Sequence, residues 1–304
     1  MQPEIQSTYK AESDLPSNRR RQRWFTVWTV CLCLVFAVPI WQLIQLAAST
    51  SLYSHLFLIP AISAYLAILR RDDLSSVEAG SPRLAGLLAL LGCVGMGWFL
   101  FAPAEGPLTA PVDRLAMAVA GWVTLFLAGL VGIYGVARLR ELLFPCLFLF
   151  FLCPMPLGVE HAFTRFLQLG SADMAYLIIE GSGTPIYREG LLFYLPGLTI
   201  EVAEQCSGIR SSLVLVIAGF LAANMFLRSP WRQTILVLAV GPIGILRNAV
   251  RISVLSLMGL QNPEILSGPL HHRGGPLFFI LSLVPLILLL WLLFKTENRI
   301  RDKP

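Results

Sequence analysis

Residues 201–227 read EVAEQCSGIRSSLVLVIAGFLAANMFL: a short polar stretch, one cysteine, then an apolar run long enough to cross a bilayer as a helix. A helix is the element to expect, because in lipid it satisfies every backbone N–H and C=O within its own segment. Cys206 stands where the polar stretch gives way to the run, and Ser207, Arg210 and Ser211 keep the first turns polar. Gly208 allows a close approach of another part of the chain. Unpaired amide donors and the helix dipole at such an end favour an anion, so a thiol there is drawn toward thiolate. Cys206 is therefore a candidate nucleophile.

The rest of the chain repeats the pattern of apolar run and polar hinge. Of the 304 residues 56% are hydrophobic and 13% charged, a balance that excludes a soluble globular protein. The expected fold is an all-α polytopic membrane protein of about eight transmembrane helices, with a short extracytoplasmic helix and a hairpin before the sixth. The spans fall near Trp24–Ala48, Leu52–Leu69, Leu84–Pro103, Leu115–Val136, Leu142–Leu157, Cys206–Leu227, Gln233–Met258 and Pro276–Phe294. Gly241, Pro242 and Gly244 interrupt the seventh. Between the fifth and sixth spans, Glu160 to Glu180 reads as a helix lying on the membrane or capping the bundle. Thr184 to Val202, with turns at Thr184-Pro185 and Pro196-Gly197, reads as the hairpin. The domain organisation expected is a cytoplasmic tail over residues 1–23, one transmembrane catalytic domain over 24–295 and a second cytoplasmic tail over 296–304.

Charge sets the orientation. Arg19, Arg20, Arg21 and Arg23 precede the first span, Arg70 and Arg71 follow the second, Arg138 and Arg140 follow the fourth, and Lys295, Arg299, Arg301 and Lys303 close the chain. The positive-inside rule puts all of these in the cytoplasm, leaving Cys206 on the outer side of the cytoplasmic membrane. The net charge of +5 is spread between apolar runs and forms no single basic face, so nucleic acid is not an expected partner. The six cysteines form neither a metal-like nor a disulfide-like framework, and no metal or other cofactor is expected.

Three reactive groups from separate segments converge on that outer side: Cys206, Arg251 and one of His271 and His272. Counting helical rise from the basic loop, Arg251 stands about 28 Å up its helix and Cys206 about 33 Å up its neighbour, nearly level. Acyl transfer by cysteine needs a thiolate, a group that moves protons, and a cation or donor for the oxyanion. Histidine suits the second role and arginine, charged even at membrane depth, the third. Each residue also has a plainer reading. Cysteines at span ends are commonly inert, the histidines could be interfacial loop residues, and Arg247, four residues from Arg251 on the same helix face, could bind a lipid phosphate or a substrate carboxylate. A second reading of the chain is a transporter or assembly factor for exopolysaccharide or lipid-linked sugars, with these arginines holding phosphate.

The ordered motifs carry a resemblance. Glu204-Gln205-Cys206-Ser207-Gly208-Ile209 before a span, Asn248-Ala249-Val250-Arg251-Ile252 late in the next, and His271 followed by Gly275 and Phe279 resemble the exosortase/archaeosortase family of membrane transpeptidases. So do Tyr53-Ser54-His55 with Pro60, Phe144-Pro145 through Pro156, and Gly183-Thr184-Pro185. The resemblance implies cleavage of a C-terminal sorting signal on exported proteins, a short motif such as Pro-Glu-Pro (the PEP-CTERM type) followed by one transmembrane helix and a basic tail. It implies that Cys206 is the nucleophile, Arg251 the oxyanion or orienting cation and His271 the proton-transfer group. His272, Arg247, Asn248, Ser207, Gly208 and Arg210 are candidate supporting residues. The implied partners are those exported proteins, membrane lipid, and an envelope glycan or lipid amine as acyl acceptor.

Overall fold

The computed structural model describes residues 3–70, 80–203, 207–262 and 275–301. It divides into two compact units, Met1–Leu157 and Gly158–Pro304. Six helices among the described residues are long and apolar enough to cross a membrane, and up to eight if each of two bent pairs is one span. The expected all-α polytopic membrane architecture is the one observed.

The first unit holds α1 (Pro3–Val35), α2 (Ala37–Ser49), α3 (Ile59–Leu69), α4 (Pro82–Phe101), α5 (Pro111–Tyr134), α6 (Val136–Glu141) and α7 (Leu143–Phe148). The expected first span, Trp24–Ala48, is a bent pair: α1 and α2 meet at 71°. Pro39 is the cause, since its ring cannot coexist with a helical carbonyl four residues earlier, at Val35. Phe36, at the bend, is buried with Leu32 against Leu125 of α5. α4 and α5 pack backbone to backbone: a Cβ on Gly95 would lie 2.5 Å from the Met117 carbonyl oxygen and one on Gly121 2.7 Å from that of Gly92. Small residues are the usual means of close packing in lipid, where apolar surface gains nothing by leaving solvent.

The expected fifth span is shorter than the run that announced it. Only α7 and a 3-10 turn at Leu149–Leu152 are helical, and Pro154 and Pro156 follow. Ten helical residues reach about 15 Å, half of a hydrocarbon core of about 30 Å. This segment attains crossing length only when counted together with the helix after it.

The second unit holds α8 (Leu157–Gly181), strands β1 (Tyr187–Glu189), β2 (Leu192–Leu195) and β3 (Leu198–Glu201), then α9 (Ile209–Phe226), α10 (Pro230–Gln261) and α11 (Gly275–Arg301). A helix of 25 residues covers the stretch expected to be helical, Glu160 to Glu180, and the expected hairpin gains a third strand. The three strands form an antiparallel meander in the order β1-β2-β3, with Phe193 opposite Ile200. Phe193 and Leu195 from the sheet and Val202 just after it bury against Ala172, Ala175 and Ile179 of α8 and Ala249 and Ile252 of α10. α10 runs unbroken through Pro242. Buried Leu215 of α9, Leu236 and Val240 of α10, and Leu286 and Leu293 of α11 join these three helices in a second core.

Candidate functional site at the start of α9

Both flanks of the 204–206 segment are anchored. On the upstream side, Val202 is buried, its N–H donates to the Leu191 carbonyl at 2.9 Å, and its carbonyl accepts from buried Gln168 Nε2 of α8 at 2.6 Å. A buried amide–carbonyl bond of this kind resists breaking, because the orphaned carbonyl would cost about 1–3 kcal/mol. On the downstream side, Ser207 is buried and its Oγ accepts from the Ile209 N–H at 3.3 Å.

Gly208 makes the turn into α9 with φ 72°, a left-handed backbone that glycine adopts without penalty. Its carbonyl accepts three donors: the Ser212 N–H at 2.9 Å, Ser211 Oγ at 3.0 Å and Arg247 Nη2 of α10 at 3.3 Å. A Cβ at this position would run into Arg247 Nη2 and lie 3.1 Å from Asn248 Oδ1. The close approach expected at Gly208 is thus real, and what approaches is a guanidinium and an amide.

α9 begins at Ile209, so its first turn starts after Cys206 and Ser207 and not at the cysteine. The positive charge at this end comes from α10 as well as from the helix terminus. Arg247 and Asn248 are buried, and Arg251, one turn further on the same face, is half-buried. Like charges at this spacing repel, and cations within an apolar helix are costly, so two of them mark a polar interior. Hydroxyls line the same helices: Ser212 of α9 and Ser253 and Ser256 of α10 are buried, and Ser253 Oγ donates to the Ala175 carbonyl at 3.4 Å. Gly244 admits Ser212 Oγ to within 3.0 Å of where its own Cβ would stand.

The structure therefore brings Ser207, Gly208, Arg247 and Asn248 together and sets Arg251 one turn along. Arg210 is exposed. Cys206, His271 and His272 lie outside the described residues. His55, with Nδ1 3.1 Å from the Leu52 carbonyl oxygen, serves its own 3-10 turn. Sequence reasoning missed Gln168, Ser212 and Ser253: each stands among other polar residues of its helix, and neither its type nor its spacing sets it apart. Among the described residues no group of three or more His, Cys, Asp or Glu converges as metal ligands would.

Gly208→Ala tests this geometry. The methyl forces Arg247 off the Gly208 carbonyl and strains the left-handed turn, a cost of about 1–2 kcal/mol. The expected result is a variant that still inserts in the membrane but loses at least about tenfold in activity, since the turn two residues after Cys206 is re-aimed. Wild-type activity in that variant would show that the contact has no bearing on function.

Taken together, these features define a multi-pass membrane protein with a buried polar, cation-bearing site where two apolar helices meet. The chain belongs to the transmembrane exosortase family, whose model, Transmembrane exosortase (Exosortase_EpsH), matches residues 47–288. No curated protein and no solved structure matches it. Its function is of the membrane exosortase type.

Proposed function

We propose that this protein is a cysteine transpeptidase or protease that cuts the C-terminal sorting signal of exported proteins at the outer face of the cytoplasmic membrane. Its substrates carry a short motif of the Pro-Glu-Pro kind, one transmembrane helix and a basic tail. The observation that carries the reading is the bond from Arg247 to the Gly208 carbonyl, which ties the turn beside Cys206 to the cationic face of α10. Cys206 precedes that turn by two residues in the chain.

In this reading the substrate's helix lies beside α9 and α10 and brings the scissile carbonyl to the level of Cys206. The Cys206 thiolate attacks the carbonyl carbon, and the tetrahedral oxyanion is stabilised by Arg251. Collapse expels the amine of the C-terminal fragment, which takes its proton from protonated His271, and leaves a thioester on Cys206. An envelope glycan, a lipid amine or water then attacks the thioester, gives its proton back to His271 and releases the thiolate. His272, Asn248 and Ser207 support the site. Both termini stay in the cytoplasm, as the basic loops require.

The test is co-expression with an exported reporter ending in such a motif, helix and tail. Cells with the wild-type enzyme should convert it to a shorter form, and a reporter whose motif is scrambled should stay full length. Equal conversion of both reporters would remove the sorting-signal reading.

A further inference from the structure

At the end of α9–α10 remote from Gly208, the chain turns through Leu227–Ser229, and α11 closes against it. Glu297 of α11 reaches into the turn: its Oε2 accepts the Arg228 N–H at 3.2 Å and its Oε1 the Ser229 N–H at 2.8 Å. The same Oε1 lies 3.6 Å from Arg232 Nη1. Beside this knot is a cavity of about 650 Å³ lined by Arg228, Ser229, Trp231, Arg232, Glu297 and Asn298.

Three observations bear on what the cavity holds. Arg232 is 4% exposed, and among the described residues its Nε, fully shielded from solvent, has no hydrogen-bond partner. A buried charged donor left unpaired is costly, and the guanidinium that carries it lines the cavity, where an acceptor oxygen would add a bond to the bridge it makes with Glu297. The lining carries two guanidinium groups against one carboxylate, so it has an excess of positive charge. Finally, the cavity sits where three apolar spans end, and its other walls are Phe226 and Phe294. These two and Trp231 are exposed, as aromatic side chains at a lipid boundary are. Guanidinium forks match phosphate oxygens, and exposed aromatic rings beside them match the glycerol and upper acyl region of a lipid.

We propose that this cavity binds the phosphate of an anionic phospholipid, with Arg232 and Arg228 on its oxygens and Trp231 at its glycerol. Glu297 is then the fixed counter-charge that holds the turn open and keeps Arg232 in place. The site is independent of the proposed peptide chemistry and lies at the opposite end of the same helices.

The experiment uses the full-length protein purified in neutral detergent, with thermal unfolding as the readout. Dioleoyl phosphatidylglycerol added to the micelles should raise Tm by about 5 °C at saturation, and phosphatidylcholine should leave it unchanged. Arg228→Gln, at an exposed position that does not threaten folding, should at least halve the shift, and Arg232→Gln should abolish it. Equal shifts from both lipids, or a phosphatidylglycerol shift that survives in Arg228→Gln, would overturn the proposal. The same shift from millimolar inorganic phosphate without lipid would assign the cavity to free phosphate and overturn the lipid assignment.

Discussion

Cys206→Ala is expected to leave the sorting-signal substrate full length in the membrane, with no shortened product detectable by immunoblot. The magnitude follows from chemistry: without the sulfur there is no thioester, and loss of a covalent nucleophile removes a factor of about 10⁴–10⁶ from such enzymes. Cys206→Ser should be nearly as inert, because a serine hydroxyl is ionised far less readily than a thiol. The level of the variant in the membrane should equal that of the wild type, since one small residue at a span boundary adds little to stability. The result also separates two classes of function. A carrier for lipid-linked sugars would tolerate the loss of a thiol and fail on loss of Arg247 or Arg251, so unimpaired processing by the alanine variant would sink the cysteine mechanism.

Arg251→Ala carries the second largest expected effect, a fall of about 10²–10³ in processing rate, the usual consequence of removing an oxyanion donor. Arg251→Lys should recover little, because a single ammonium on a flexible stem does not reproduce the planar fork. A side effect makes the measurement discriminating. Deleting a cation from an apolar helix lowers the cost of insertion, so the variant protein should be at least as abundant as the wild type. Lower processing at undiminished abundance therefore reports on chemistry. Arg247→Ala should behave differently: the Gly208 carbonyl keeps its bonds from Ser211 and Ser212, and the defect should lie in substrate positioning and protein stability together. A wild-type rate in Arg251→Ala would move the oxyanion role elsewhere.

Several features were legible in the residues, and others were visible but misread. Pro39 announced the bend at Phe36, since a proline ring always challenges the carbonyl four residues before it. Reading the run from Trp24 to Ala48 only for hydropathy hid that. Pro242 carried the same signal, yet α10 continues through it. A proline states that one backbone bond is lost, and the packing around the helix decides whether it bends. The third strand was hidden for a related reason: Tyr187–Glu189 is too short to show alternation, and it became a strand because Leu192–Leu195 was available to pair with it.

What the sequence alone determined is everything that depends on nearest neighbours along the chain: which runs are apolar enough for lipid, where basic hinges end them, and that Gly208 permits a close approach. It also carried the ordered motifs that place the chain in its family. What only the tertiary structure decided is which partners meet. Gly208 and Arg247 are 39 residues apart, and Gln168 and Val202 are 34. Those pairings depend on the rotation of each helix about its axis and on the depth at which neighbours stop sliding. Hydropathy is blind to both, because every face of an apolar helix is equally welcome in lipid, and only the fit of side chains against the neighbouring helix selects one.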